Sequence, residues 1–213
     1  AIVWYFRNDI FKLRSQSSKN IFDNLIHQKL LRSILIGTIP IILLGWTMKL
    51  FVPNYFNNIL RSNLSIALVS FLMAFFMYLA DSSKKGSINL KNHNFSDSIL
   101  IGFSQAFAIL PGVSRSGVTI STALLSGWER RDAAKFSFLL GIPAISFAAI
   151  VEFISSFNKF NLFSFSPLIV GLTATFLSSL FAIDFLLKYL SSNDMKLFII
   201  YRFVFGVVIL LNL

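Results

Sequence analysis

Apolar positions in this chain come in long unbroken runs rather than in strand-like alternation. Runs near 33–52, 64–80, 136–157, 166–187 and 197–213 are each long enough, at about 1.5 Å per residue, to cross a bilayer as a helix. The pattern predicts five crossings joined by short polar connections, hence an all-α, polytopic integral membrane fold. A further apolar stub, Ala1–Phe6, runs straight into Arg7 and reads as the last turns of a membrane helix whose beginning lies upstream of Ala1. Nothing at this end has the basic, apolar and small-residue succession of a signal peptide.

Segment 98–126 breaks the pattern. Two apolar pieces of about 12 residues, Ser98–Ile109 and Ser116–Ser126, flank a polar loop, and each is too short to span. The pair suits a re-entrant helix–loop–helix, tolerated at membrane depth only where protein or a watery cavity surrounds it. The basic residues test this. With 98–126 entering and leaving on one side, the connections 7–32, 81–97, 127–135 and 188–196 place fourteen Lys and Arg inside and leave only Arg61 and Lys159 outside. With 98–126 crossing, the split falls to ten against six. The positive-inside rule favours the re-entrant form, with the C-terminus outside. One transmembrane domain over 1–213 follows, with no soluble domain.

Composition agrees: 55% of residues are hydrophobic, 13% are charged and mean hydropathy is +0.73. The net charge of +10 resides mostly in the connections, where it sets topology and meets anionic headgroups, so nucleic acid is not an expected partner. With no cysteine there is neither a disulfide nor a thiolate metal site. The 25 Phe residues read as lipid-facing bulk.

Within the loop, Leu110-Pro-Gly-Val-Ser-Arg-Ser-Gly-Val-Thr-Ile120, stands Arg115. A guanidinium at membrane depth costs roughly 2.5–3.5 kcal/mol on insertion scales, which marks it as functional. Gly112 and Gly117 permit close backbone approach, Ser114, Ser116 and Thr119 supply hydroxyls, and Arg115 offers a planar fork suited to phosphate oxygens. The loop reads as an anion cradle, phosphate being the favoured anion.

Other polar residues carry plainer readings. Gln105 either orients Arg115 or the substrate, or packs. Arg202 either snorkels or faces phosphate. His27 and His93 fall in polar connections and read as solvated. Asp184 and Lys188, spaced i, i+4, should pair. Glu152 sits near the outer end of its helix, solvated at the interface or facing the site. Gly37, Pro40 and Gly45 in the first full span, and Gly141 and Pro143 in the third, read as packing features.

The string from Gln105 to Ile120 resembles the second signature of the bacterial undecaprenyl-pyrophosphate phosphatase, or bacitracin-resistance, family. Gly37-Thr-Ile-Pro40 with Gly45, Gly127 and Arg130, Phe136-Ser-Phe-Leu-Leu140 with Pro143, and Tyr201-Arg202-Phe203 match in order. The resemblance implies inverted repeats, each giving a re-entrant loop to one site in the bacterial cytoplasmic (inner) membrane. It implies hydrolysis of undecaprenyl pyrophosphate to undecaprenyl phosphate and orthophosphate, which recycles the carrier for peptidoglycan synthesis and confers bacitracin resistance. It makes Arg115, Ser114 and Ser116 the catalytic candidates, with Gly112, Gly117 and Thr119 completing the phosphate site and Gln105 and Arg202 behind it. We assign these to binding rather than attack, since no base lies beside them in sequence, although a second loop could make one of them the nucleophile. The family's first signature, with its Glu-rich stretch, Pro-x-Ser-Ser and His, is not present here. The resemblance therefore implies that the base and the acidic ligands of a Mg²⁺ or Ca²⁺ ion lie upstream of Ala1. Lipid pyrophosphate, membrane lipids and a second copy of the chain are the expected partners. The competing reading is a transporter or flippase of an anionic lipid or solute, since broken helices and a midplane charge serve that function too.

Overall fold

The computed structural model describes residues 1–14, 21–51, 60–83, 86–156 and 165–211. The apolar runs form helices: α1 (Ile2–Tyr5), α2 (Arg7–Arg14), α3 (Ile21–Phe51), α4 (Asn63–Asp81), α5 (Phe95–Ala106), α6 (Arg115–Leu125), α7 (Arg130–Ser156), α8 (Phe165–Ser192) and α9 (Lys196–Leu211), with a 3₁₀ turn at Phe107–Ile109. Among the described residues no strand forms beyond one isolated bridge.

Four stretches are long and apolar enough to cross a membrane: Ile26–Met48, Asn63–Asp81, Arg130–Ile154 and Pro167–Ser192. The fifth expected crossing is α9, whose 16 described residues rise about 24 Å, short of a hydrocarbon core of about 30 Å. Lys84, Lys85, Lys159 and the last two residues of that run lie outside the described residues. Pro40 and Pro143 both sit inside continuing helices.

Segment 98–126 is re-entrant. The Ile88 N–H donates to the Gly127 carbonyl at 3.0 Å, and the Glu129 N–H donates to the Ile88 carbonyl at 2.8 Å. The Leu90 N–H donates to Asp132 Oδ2 at 3.0 Å. Residues before α5 thus touch residues after α6, which a crossing would hold about 30 Å apart. α5 starts three residues earlier than the apolar run because Asn94 and Asp97 form a capping box, the Asn94 N–H donating to Asp97 Oδ2 at 3.0 Å. The eleven residues of α6 rise about 16 Å, so its N-terminal end lies near the middle of a bilayer.

Two close approaches at glycine, one of them seating the hairpin, pack the helices together. α3 meets α5 at paired glycines: a Cβ on Gly102 would lie 2.5 Å from Gly37 Cα. Such contacts let membrane helices gain dispersion energy where lipid supplies no hydrophobic drive. α9 lies on α4, where Gly206 receives the ring of Phe71. Ion pairs join Lys135 to Asp9 at 2.8 Å and Lys188 to Asp184 at 2.7 Å, the latter at the expected i, i+4 spacing.

His93 departs from its sequence reading. It is fully buried beneath the connection, against Trp128 and Phe136 with ring centroids 5.5 and 6.0 Å away. Its Nδ1 lies 3.0 Å from the Leu90 carbonyl, which can only accept, so Nε2 is left to accept from the Ser33 hydroxyl at 3.0 Å. The ring thus ties α3 to the base of the hairpin in its neutral form. His27, also expected in a connection, lies within α3.

Two outcomes follow. Gly102→Ala should destabilise the detergent-solubilised protein by roughly 1–3 kcal/mol, because the new Cβ meets backbone that cannot move aside. Gly171→Ala, on α8 with nothing within 4 Å, should be neutral or slightly stabilising in the same thermal unfolding measurement. Burial pushes the His93 pKa below its ordinary 6.5, so on acidification the unfolded chain takes up a proton that the folded one refuses. Stability should be held above about pH 6.5 and fall below it, and His93→Gln should flatten that dependence.

Candidate functional site

The loop between α5 and α6 is shaped by glycine. Gly112 has φ of +92°, a conformation that side chains rarely adopt, and a Cβ there would lie 2.8 Å from the Ile66 carbonyl oxygen on α4. The turn reverses the chain and delivers Ser114 as N-cap of α6, its Oγ accepting from the Gly117 N–H at 3.2 Å. The Gly117 amide is thereby engaged. The amides of Arg115 and Ser116, in the first turn, have no intrahelical acceptor and can meet an anion.

Arg115 turns toward α5 and α7. Its Nη1 donates to Gln105 Oε1 at 3.2 Å and to the Ser137 carbonyl at 3.3 Å. The head group fills the space beside Gly141, where any Cβ would overlap it. Gln105 is completely buried against the guanidinium, and its Nε2 finds no partner among the described residues. No carboxylate among the described residues pairs with Arg115, whose charge is met only by neutral acceptors. An arginine held this way attracts an anion more strongly than one already neutralised.

The opposite side of the loop faces a cavity of about 220 Å³. Ser114, Ser116 and Gly117 form one wall, and Arg202 and Tyr201 of α9 another, with Met77 and Leu186 among the apolar residues. Arg202 Nη1 donates to the Gly112 carbonyl at 3.3 Å, so it braces the turn from outside while remaining in the cavity wall. The snorkelling alternative for Arg202 does not describe this contact.

The expected phosphate residues are therefore only partly assembled. Ser114, Ser116, Gly117 and Arg202 share a cavity; Arg115 and Gln105 meet on the other face. Thr119 is fully buried with its hydroxyl on Ser137 Oγ at 2.6 Å, so it fastens α6 to α7. Glu152 lines a separate cavity of about 400 Å³ with Trp46 and Ile109. Sequence reading gave Ser137 no role of its own and took Gly141 as a packing feature, whereas together they form the seat of the guanidinium. Their i, i+4 spacing puts two small residues on one face of α7, and that was the available signal.

A divalent cation does not fit the residues here. Among the described residues no group of three or more His, Asp or Glu converges, and the loop offers guanidinium and hydroxyl donors where Mg²⁺ or Ca²⁺ needs carboxylate oxygens.

Comparison with known proteins identifies the chain's kin. A family model described as "Bacitracin resistance protein BacA" matches residues 1–208. An undecaprenyl-diphosphatase of Prochlorococcus marinus strain MIT 9312 is 80% identical over 213 residues, covering all of this chain and 80% of that protein. The protein of the same name from strain AS9601 is 76% identical, over all of this chain and 78% of its own length. That from strain SARG is 45% identical across 99% of this chain and 74% of its own. On the strength of a match that runs nearly end to end, the chain belongs to the bacitracin resistance protein BacA family.

Proposed function

We propose that the protein hydrolyses undecaprenyl diphosphate to undecaprenyl phosphate and orthophosphate at the α5–α6 loop. The observation that carries this is Arg115, a guanidinium seated on neutral acceptors at the mouth of a buried helix N-terminus, in a chain 80% identical to a protein named for that hydrolysis. The relatives' name favours hydrolysis over the transport reading. The work belongs in the bacterial inner membrane, where the lipid carrier resides.

The reaction breaks one P–O bond of the anhydride and adds water across it, leaving one phosphate on the lipid and releasing the other. Charge is spread over the transferring oxygens in the transition state, so fixed donors do most of the catalysis. Arg115 supplies a planar fork that can take two equatorial oxygens. The first-turn amides of α6 supply further donors, and the helix dipole adds to them. Because Gln105, Ser137 and the open space at Gly141 hold the guanidinium before substrate arrives, little reorganisation is needed when charge develops. A divalent ion, if the reaction uses one, would be held by carboxylates other than those described here.

Phosphate release from undecaprenyl diphosphate in detergent tests the assignment. Arg115→Ala should lower kcat/KM by about 10²–10³, the range for removing one transition-state donor, with the unfolding midpoint retained. Activity within a factor of about three would remove Arg115 from the mechanism. Gln105→Glu should pair with Arg115 directly, keeping or raising the unfolding midpoint while lowering kcat/KM by about tenfold or more, because substrate must then displace a carboxylate.

A further inference from the structure

Two hydroxyls meet where α6 packs on α7. Thr119 Oγ1 lies 2.6 Å from Ser137 Oγ, and both residues are buried, Thr119 at 0% and Ser137 at 1% exposure. The order of the two protons follows from the acceptors at hand. Thr119 Oγ1 also lies 2.9 Å from the Arg115 carbonyl and 3.3 Å from that of Ser116, each of which can only accept. Ser137 Oγ has no partner but Thr119 among the described residues. Were Thr119 to donate to Ser137, the Ser137 proton would be buried without an acceptor, which folded proteins avoid. Ser137 therefore donates to Thr119, and Thr119 donates to the Arg115 carbonyl. Other hydroxyls of α6 end on their own helix: Thr122 donates to the Val118 carbonyl at 2.9 Å and Ser126 to that of Thr122 at 3.0 Å. Thr119 makes the same back-bond but is gripped from the neighbouring helix as well.

Ser137 holds the other end of Arg115 too, because its carbonyl accepts from Nη1 at 3.3 Å. The contacts close a ring. It runs from Ser137 Oγ to Thr119, from Thr119 to the Arg115 carbonyl, along the arginine side chain, and from Nη1 back to the Ser137 carbonyl. Nη1 has two N–H groups, and Gln105 Oε1 and the Ser137 carbonyl are two acceptors for them. Among the described residues no acceptor takes Nε or Nη2. That leaves the Nε–Nη2 edge, whose two parallel N–H bonds match the oxygens of a phosphate.

We infer that Ser137 is a positioning residue for the hydrolysis. Its hydroxyl, acting through Thr119, sets the rotation of α6 on α7 and with it the direction of the Nε–Nη2 edge of Arg115. Ser137 itself touches no substrate. A group about 6 Å from a helix axis moves about 1 Å when the helix turns by about 10°. A misplacement of that size can cost about 10²-fold in rate. The hydroxyl pair is thus small in itself and large in its consequence, since the arginine it steers is the donor aimed at the transferring oxygens. The inference rests on reading Arg115 as the group that binds the diphosphate, and its test separates the two.

The experiment is steady-state hydrolysis of undecaprenyl diphosphate by the full-length protein in detergent, with the unfolding midpoint followed in parallel. Ser137→Ala removes the hydroxyl and keeps the carbonyl. It should lower kcat by about tenfold or more and leave KM within about twofold, since the charge that attracts the ground-state substrate stays. In an Arg115→Ala background the same change should alter kcat/KM by no more than about twofold, because the hydroxyl acts through the arginine. A merely structural hydroxyl would lower both backgrounds alike. Thr119→Val, which removes the middle of the relay, should reproduce the loss in kcat, and Thr119→Ser should recover most of it. That pair decides the matter if Ser137→Ala does not fold. A kcat within about twofold of the parent in both Ser137→Ala and Thr119→Val overturns the inference, as does an equal loss with and without Arg115. Collapse of hydrolysis in Arg115→Ala with Ser137→Ala fully active removes Ser137 alone and keeps Arg115 in the mechanism. Full activity in Arg115→Ala removes both.

Discussion

A guanidinium near the centre of a bilayer, with no carboxylate beside it among the described residues, is the constraint around which the rest is arranged. Its cost, roughly 2.5–3.5 kcal/mol, is tolerable only if protein replaces lipid on every side. That requires a hairpin buried among crossing helices, and it agrees with α6 being enclosed from Gly117 to Leu124 while α8 leaves most of its surface exposed. It also explains the choice of partners. A carboxylate would neutralise the charge and spoil it for an anion; a carboxamide and a peptide carbonyl hold the head group in place and leave the charge available.

The same constraint sets the backbone. A helix cannot turn back at membrane depth without leaving amides unpaired, and an anion-binding site is where unpaired amides are useful. Gly112 permits the reversal and lets the turn rest on α4. Ser114 satisfies one amide of the new helix, and Arg202 takes the carbonyl that the reversal exposes. The base of the hairpin is closed at water level by the Ile88–Trp128 bridge, and neutral His93 ties that base to Ser33. Stability at the base and charge at the tip are thus separate tasks performed by separate residues.

The long crossings, the re-entrant segment and Arg115 were legible in the sequence because each rests on local information: run length, a polar break, a charge out of place. The side on which basic residues fall was enough to choose the hairpin over a crossing, and the Ile88–Gly127 pairing bears that choice out. What stayed hidden depends on distant residues meeting. His93 sits in a run of Asn and Lys, which argues for solvent; only Trp128 folding over it, 35 residues on, makes it buried. Thr119 and Ser116 are both hydroxyl residues in the same loop motif. Rotation about the α6 axis, set by packing on α7, sends one to Ser137 and the other to a cavity. The seat at Gly141 is the absence of a side chain; its spacing from Ser137 marks a small-residue face, but not that Arg115 fills it.

The loop therefore acts as a divider as much as a cradle. Successive residues at the start of a helix point about 100° apart, so Arg115 and Ser116 cannot face the same wall. A flat reading of Ser-Arg-Ser-Gly gathers every donor around one anion. The helix instead distributes them, the guanidinium toward α5 and α7 and the hydroxyls toward α9. Only the first-turn amides, which run along the axis, are shared by both sides. A diphosphate has two charged centres, and a reaction that separates them gains from a site in which they can be held, and released, in different directions. Here two cations, Arg115 of the loop and Arg202 of α9, lie on different sides of the first turn of α6.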